Sequence, residues 1–201
     1  MPTITINIMS YKYGHLCAQA IESCLSQTRK PDVIRVYDDG IGDCKEVCSL
    51  YPEVEYILRE YNLGIIENFN DALNRTSTDK VMFLGADNWL RPDCLEKLST
   101  FEGDICSYYL NLVGTEVDTF RIGLPCSFDN GYWVWKPNAF HGSSLYDVEL
   151  AKKAGGYSKN PKSIKSEEDA MLFSKMQAHG ALTGICYSPL IYYRRHKNNF
   201  Q

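Results

Sequence analysis

At 201 residues the chain is most simply one domain, long enough to bury a real core, with no repeats or low-complexity tracts to divide it. Its 21 Lys and Arg against 25 Asp and Glu leave a formal charge of −4, which argues against general binding to nucleic acid or anionic membrane as its main business. There is no charged-then-apolar leader and no apolar run near about 18 residues, and the eight cysteines lie scattered in apolar segments without a CxxC pair or metal-ligand cluster; a soluble, cytoplasmic protein with reduced core thiols and no transmembrane segment is expected.

In chain order, Ile4, Ile6 and Ile8 alternate with Thr5 and Asn7 and lead into Met9-Ser10-Tyr11, a first strand with a polar and aromatic end. Leu16, Cys17, Ala20, Ile21, Cys24 and Leu25 recur at helical spacing, and Pro31 stops that helix. Val33, Ile34 and Val36 form a second strand ending in Tyr37-Asp38-Asp39-Gly40. A helical patch, Lys45 to Leu50, precedes a third strand, Val54 to Leu58, and the turn Asn62-Leu63-Gly64; Ile66, Phe69, Ala72 and Leu73 then have helical spacing again. Val81 to Leu84 is the short apolar run of a buried parallel strand, followed by two small residues and at once by Asp87. Pro92 opens the next helix, CLEKLSTF, so Asp87, Asn88 and Trp89 are expected in a strand-to-helix turn.

This β-α alternation predicts a mostly parallel sheet with helices on both faces. The second half is less regular. Ile105 to Val113 reads as a strand, Phe128 to Gly142 as an aromatic cleft wall, Leu145 to Ala154 as a helix closed by Gly155-Gly156, Ser166 to His179 as a helix closed by Gly180, and Leu182 to Tyr193 as a strand running into Arg194-Arg195-His196-Lys197. Carboxylates just beyond strand ends stand where open α/β sheets bind ligands, and Asp87 beside two small residues could meet a divalent cation or a metal-bound phosphate. Turn formation alone would also account for Asp87 and Asn88.

Four segments in order carry a resemblance: INIMSYKYGHLCAQAIESCLSQT with VIRVYDDG, then NLGIIENFNDAL, then FLGADNWLRPDCL, then GGY with EEDAMLFSKMQAHG. Together they resemble glycosyltransferase family 2, inverting enzymes with a GT-A, Rossmann-like fold, over nearly the whole length. The resemblance implies a single domain with a nucleotide-binding half over 1–90 and an acceptor and catalytic half over 91–201. It places Ser10, Tyr11 and Asp39 at the nucleotide, with Asn62 and Asn70 as secondary contacts. A carboxylate at Asp39 would accept the N–H of uracil but face an acceptor in cytosine, so a UDP-sugar is the expected donor. For the metal, Mn²⁺ or Mg²⁺, only Asp87 of the family's D-x-D or D-A-D-D acids is present, with His196 as a further ligand. Arg194 and Arg195 could touch the diphosphate, Trp133 and His141 could line the sugar or acceptor pocket, and Glu168 could contact the diphosphate or the acceptor.

The same resemblance makes Asp169 of Glu168-Asp169 the general base that takes the acceptor's hydroxyl proton, its pKa raised by Glu167 and Glu168. A rival reading makes Ser166 to Asp169 a capping box. The expected activity is inverting transfer of a sugar to an acceptor hydroxyl on a glycan, lipid, protein or modified nucleic acid. The incomplete acid set at Asp87 leaves open a catalytically degenerate, nucleotide-sugar-binding protein of the same fold. A nucleotidyltransferase is disfavoured, because Met9 to His15 holds one glycine and no arginine.

Overall fold

The computed structural model describes residues 1–137, 139–161, 167–197 and 199. Its first half alternates as expected: β1 (Ile4–Ser10), α1 (Gly14–Leu25), β2 (Val33–Asp38), α2 (Lys45–Cys48), β3 (Glu55–Leu58), α3 (Ile65–Asn74) and β4 (Lys80–Gly85). Then follow β5 (Trp89–Leu90), α4 (Cys94–Leu98), β6 (Ile105–Val113), α5 (Val117–Phe120), β7 (Cys126–Asp129), β8 (Tyr132–Trp135), β9 (Leu145–Asp147), α6 (Val148–Lys153), α7 (Glu168–Ala178) and β10 (Thr183–Arg194).

The strands form one sheet in the order β3-β2-β1-β4-β9-β6-β10-β5, with the β7–β8 hairpin paired to β6. The longest pairings, β1 with β2 and β4 and β6 with β10, are parallel; β9, β5 and the hairpin add antiparallel neighbours in the second half. Alternate residues of each strand serve opposite faces. Met82, Leu84, Tyr108 and Leu110 pack with Ile21 of α1 and Leu95 of α4, while Val81, Phe83 and Ile105 pack with Leu73 of α3, Ala151 of α6 and Phe173 of α7. Because β1 is covered on both sides, even Thr5 and Asn7 are fully buried, and they hydrogen-bond to Thr78 (2.8 Å) and Thr76 (3.2 Å).

Two predicted elements differ from the fold. Leu145-Tyr146-Asp147 does not begin a helix; it is a strand that fills the gap between the edges of β4 and β6, and only then does Asp147 cap α6 by accepting from Leu150 N–H at 2.8 Å. Its helical periodicity is overridden by two open edges needing backbone partners. Trp89 likewise leaves the turn for β5, opposite Tyr192. Ser166, the cap in the rival reading of the Asp169 segment, lies outside the described residues; α7 has Glu167 as its N-terminal flanking residue, with φ +47 and no side-chain cap. All eight cysteines are free thiols. No described helix is long and apolar enough to cross a membrane.

Candidate active site

Three neighbouring parallel strands end together: Ser10 is in register with Asp38, and Met9 with Gly85. The residues that follow, Tyr11, Asp39 and Asp87, therefore emerge along one edge and line a shared cavity of about 960 Å³ with Ser10, Asn62, Arg194 and His196. A cavity of that size matches the upper range for small-molecule and cofactor sites.

The adjacent carboxylates Asp38 and Asp39 have separate jobs. Asp38, fully buried, accepts from the N–H groups of Ile41 (3.1 Å), Gly42 (3.0 Å) and Cys44 (3.0 Å) and from the Tyr56 hydroxyl (3.0 Å). It builds the loop after β2, and its approach to Asp43 and Cys44, with ligand atoms within 4.8 Å, belongs to that loop. Asp39 lines the cavity and accepts from Leu63 N–H (2.9 Å) and Gly64 N–H (3.2 Å), fixing the turn that carries Asn62. Each of its oxygens keeps a lone pair for a ligand donor. Tyr11 is 41% exposed; a hydrogen bond with Asn62, then the Lys12 ammonium, lowers its phenol pKa.

Asp87 can fold back because Gly85 has no side chain: a Cβ there would lie 2.7 Å from Asp87 Oδ1. Its carboxylate, 7% exposed, accepts from Asn88 Nδ2 (2.9 Å) and Asn199 Nδ2 (3.0 Å) and lies 3.3 Å from His196 Nε2. Burial raises its pKa above 3.8, and His196 opposes the rise. Asn88 Oδ1 accepts from Arg194 N–H (2.8 Å), Arg194 Nε donates to the Asp87 carbonyl (2.9 Å), and its guanidinium reaches Gln19 (2.6 Å). The end of β10 is thereby tied to the end of β4. A carboxylate oxygen and an imidazole nitrogen at this spacing fit a divalent cation, Mn²⁺ better than Mg²⁺ because of the imidazole. Binding it requires His196 Nε2 to be unprotonated, the opposite of the state that donates to Asp87.

Asp169, in the first turn of α7, does not line this cavity. A Cβ on Gly142 would lie 3.4 Å from its Oδ2, so that carboxylate faces the loop before β9. Burial raises its pKa, and Glu168 and Glu167 add to the rise. The neighbouring acids are thus a contributing cause, smaller than desolvation. Tyr193 connects the two regions, since Asp87 and Asp169 both raise its phenol pKa on top of burial.

Residues 5–121 match the family described as Glycosyl transferase family 2. The chain belongs to glycosyl transferase family 2. The chain is similar to the glycosyltransferase GlyA of Streptococcus pneumoniae, 28% identical over 116 residues, covering 53% of this chain and 17% of GlyA, and to an uncharacterized glycosyltransferase of Haemophilus influenzae, 27% identical over 105 residues, covering 50% of this chain and 32% of that protein. This chain thus spans about a third or less of those relatives. Staphylococcus aureus TarS 1–349 in complex with UDP-GlcNAc superposes with a TM-score of 0.73 at 15% identity, covering 98% of this chain and 60% of that one. The mannosyltransferase PcManGT of Pyrobaculum calidifontis, in complex with GDP-Man and Mn²⁺, gives 0.71 at 15%, covering 98% and 58%. These likenesses establish the GT-A fold.

Several family-2 assignments made from the sequence fall elsewhere in the fold. Asn70 is no cavity residue: its amide donates to the Tyr157 carbonyl (2.9 Å) and accepts from Tyr157 N–H (2.7 Å), clamping the turn after α6, where Gly156 has φ +64 and a Cβ would meet Asn70 Oδ1 at 2.4 Å. His141 is a core residue, its ring at 3.2 Å from the Tyr108 carbonyl and edge-on to the Tyr108 ring, with burial lowering its pKa to about 4. Trp133 lies outside the cavity, covered by Arg121 at 3.9 Å and set against Phe128. Arg195, 8% exposed, is not in the cavity lining and packs over Phe120. Glu168 acts beside Asp169 and does not line the cavity. Conversely, Tyr13, His15, Asn68, Tyr193 and Asn199 line it without having been singled out. For Asn199 a signal was present, three residues after His196, where its Oδ1 accepts from His196 N–H (2.6 Å).

Proposed function

We propose that this chain transfers a sugar from a nucleoside diphosphate sugar, best a UDP-sugar, to an acceptor hydroxyl with inversion, Asp169 serving as general base and Mn²⁺ or Mg²⁺ held by Asp87 and His196. The observation that carries the reading is the single cavity shared by Tyr11, Asp39, Asp87 and His196 at the carboxyl ends of parallel strands, with Asp169 near enough to Tyr193 of its lining to raise that phenol's pKa. Family membership supports a glycosyltransferase, and the UDP-GlcNAc and GDP-Man complexes of the fold neighbours support a nucleotide-sugar donor.

In this reading Tyr11 offers a ring to the base, and Asp39 accepts its imide proton while keeping the Asn62 turn in place. Asp87 and His196 hold the cation, which supplies positive charge where the departing diphosphate becomes more anionic. Asp169 takes the acceptor proton as the acceptor oxygen attacks the anomeric carbon opposite the leaving phosphate; the C–O bond forms as the C–O bond to UDP breaks, inverting that centre. A raised pKa suits a base that must hold this proton.

The test is Asp169→Asn assayed for UDP release and product with a panel of UDP-sugars and saccharide acceptors. Loss of about 10²- to 10⁴-fold in turnover with UDP affinity kept is expected. A variant as active as wild type removes Asp169 from the chemistry. Asn88, where a second acid could have stood, favours the degenerate reading, for which the outcome is metal-dependent UDP binding by wild type without product.

A further inference from the structure

Tyr193 and Arg195 alternate with Arg194 at the end of β10, so the two share a side while Arg194 turns to Asp87 and Gln19. Arg195 is 8% exposed, stacked on Phe120 at 4.1 Å, with no carboxylate in salt-bridge contact among the described residues and its Nε without a hydrogen-bond partner. Among the described residues its guanidinium makes one polar side-chain contact, to the Tyr193 hydroxyl at 3.3 Å. A guanidinium has donors only, so the Tyr193 oxygen must be the acceptor of that bond, and its own O–H has to point elsewhere. Among the described residues nothing accepts from that O–H, and Tyr193 lines the nucleotide cavity. A hydroxyl with its donor free among the described residues, on a residue that lines the cavity and next to a buried cation with no carboxylate partner among them, is suited to an anionic oxygen.

Resting on the transferase reading above, we propose that Tyr193 is a further catalytic residue, whose O–H, oriented by Arg195, donates to an oxygen of the leaving phosphate of the nucleoside diphosphate sugar. Arg195 is then a positioning residue and not a diphosphate ligand. The donor remains a donor throughout the reaction, because burial keeps the phenol protonated. Its bond strengthens as the C–O bond to the phosphate breaks and negative charge collects there, so it acts mainly on turnover.

The experiment uses the full chain with UDP as binding probe and UDP-glucose, UDP-galactose and UDP-N-acetylglucosamine as donors, reading both calorimetric UDP affinity and the rate of UDP release. Tyr193→Phe keeps the ring that packs on Phe120 and Trp135 and removes only the hydroxyl. A fall of about 10²- to 10³-fold in kcat, with KM and UDP affinity changed less than about threefold, is expected. Arg195→Met should lose kcat in the same direction, and Arg195→Lys, which can still donate to the Tyr193 oxygen, should recover most of it; this pair decides the matter if Tyr193→Phe folds poorly. Turnover within twofold of wild type in both Tyr193→Phe and Arg195→Met overturns the inference while leaving the transferase reading intact. Absence of UDP binding and of UDP release in wild type overturns the transferase reading and this inference with it.

Discussion

Replacing Asp87 by Asn separates what the buried carboxylate does for the fold from what it does for a cation. In the absence of metal the amide oxygen, at the Oδ1 position, can still accept from Asn88 (now 2.9 Å), and its NH₂, at the Oδ2 position, can face a neutral His196, but the bond that Asn199 now donates to Oδ2 (3.0 Å) is lost. The Asp87 pKa is raised above 3.8 by burial, so its contribution to stability is full below that value and is lost as pH rises through the higher folded value. At neutral pH the ionised carboxylate therefore costs stability, which offsets the lost Asn199 bond, and the metal-free Asn variant should melt close to wild type. With Mn²⁺ and UDP at about 100 times their dissociation constant, wild type gains about 2.7 kcal/mol, which for a chain of this size is roughly 5 to 11 °C in Tm. Asp87→Asn should lose the Mn²⁺-dependent part of that gain, measured by thermal melting with and without Mn²⁺ at fixed UDP. An Mn²⁺-dependent shift as large in Asp87→Asn as in wild type would falsify the assignment of Asp87 to the metal.

Asn70→Ala removes two hydrogen bonds to the Tyr157 backbone and should lower the stability by about 1–3 kcal/mol in urea titration, with UDP affinity of the folded protein unchanged; weakened UDP binding at unchanged stability would return Asn70 to the nucleotide. His141 holds a pKa of about 4 in the fold against 6.5 ordinarily, so the unfolded chain binds a proton that the fold refuses and stability falls as pH drops from 6.5 toward 4, by roughly 3 kcal/mol. Replacing it with Gln should flatten that part of the pH–stability profile, and an NMR titration of its ring should show a neutral imidazole at pH 6. Asp39→Asn puts an NH₂ where two N–H donors, Leu63 and Gly64, now find acceptors, and offers cytosine N3 a donor that Asp39 cannot. The ratio of UDP to CDP affinity should fall at least tenfold; an unchanged ratio means the base is read by other groups.

The strand-end carboxylates were legible because strand and position coincide in sequence: a buried run followed at once by an acid predicts both the element and where its acid emerges. Register then brought Asp39 and Asp87 to one edge without further information. Leu145 to Asp147 was not legible, because its strand exists only through the open edges of β4 and β6, elements about 40 to 65 residues away whose spacing no local pattern encodes. Asn70 failed for a related reason. Its polarity signalled a partner, but that partner is the backbone of Tyr157, and the neighbouring Asn68, which does line the cavity, carries the same local signal. His141 and Trp133 show that an aromatic, polar stretch marks a fold surface and its packing as readily as a ligand wall.

The shortage of acids around Asp87 is itself a constraint on order of binding. One buried carboxylate and one imidazole leave most of a six-coordinate cation's positions to other oxygens, and the neighbouring side chains, Asn88 and Asn199, are neutral and already hydrogen-bonded to Asp87. In the proposed reading the donor diphosphate would fill those positions. Cation and nucleotide should then each raise the other's affinity by the same factor, since coupling between two ligands is reciprocal. A second carboxylate in place of Asn88 would bind the cation better alone and repel the diphosphate, weakening that coupling, and it would break the bond that Asn88 accepts from Arg194 N–H only if its oxygen turned away. In the proposed site the single acid would make the cation's occupancy conditional on the donor, next to the end of β10 that Arg194 ties to Asp87.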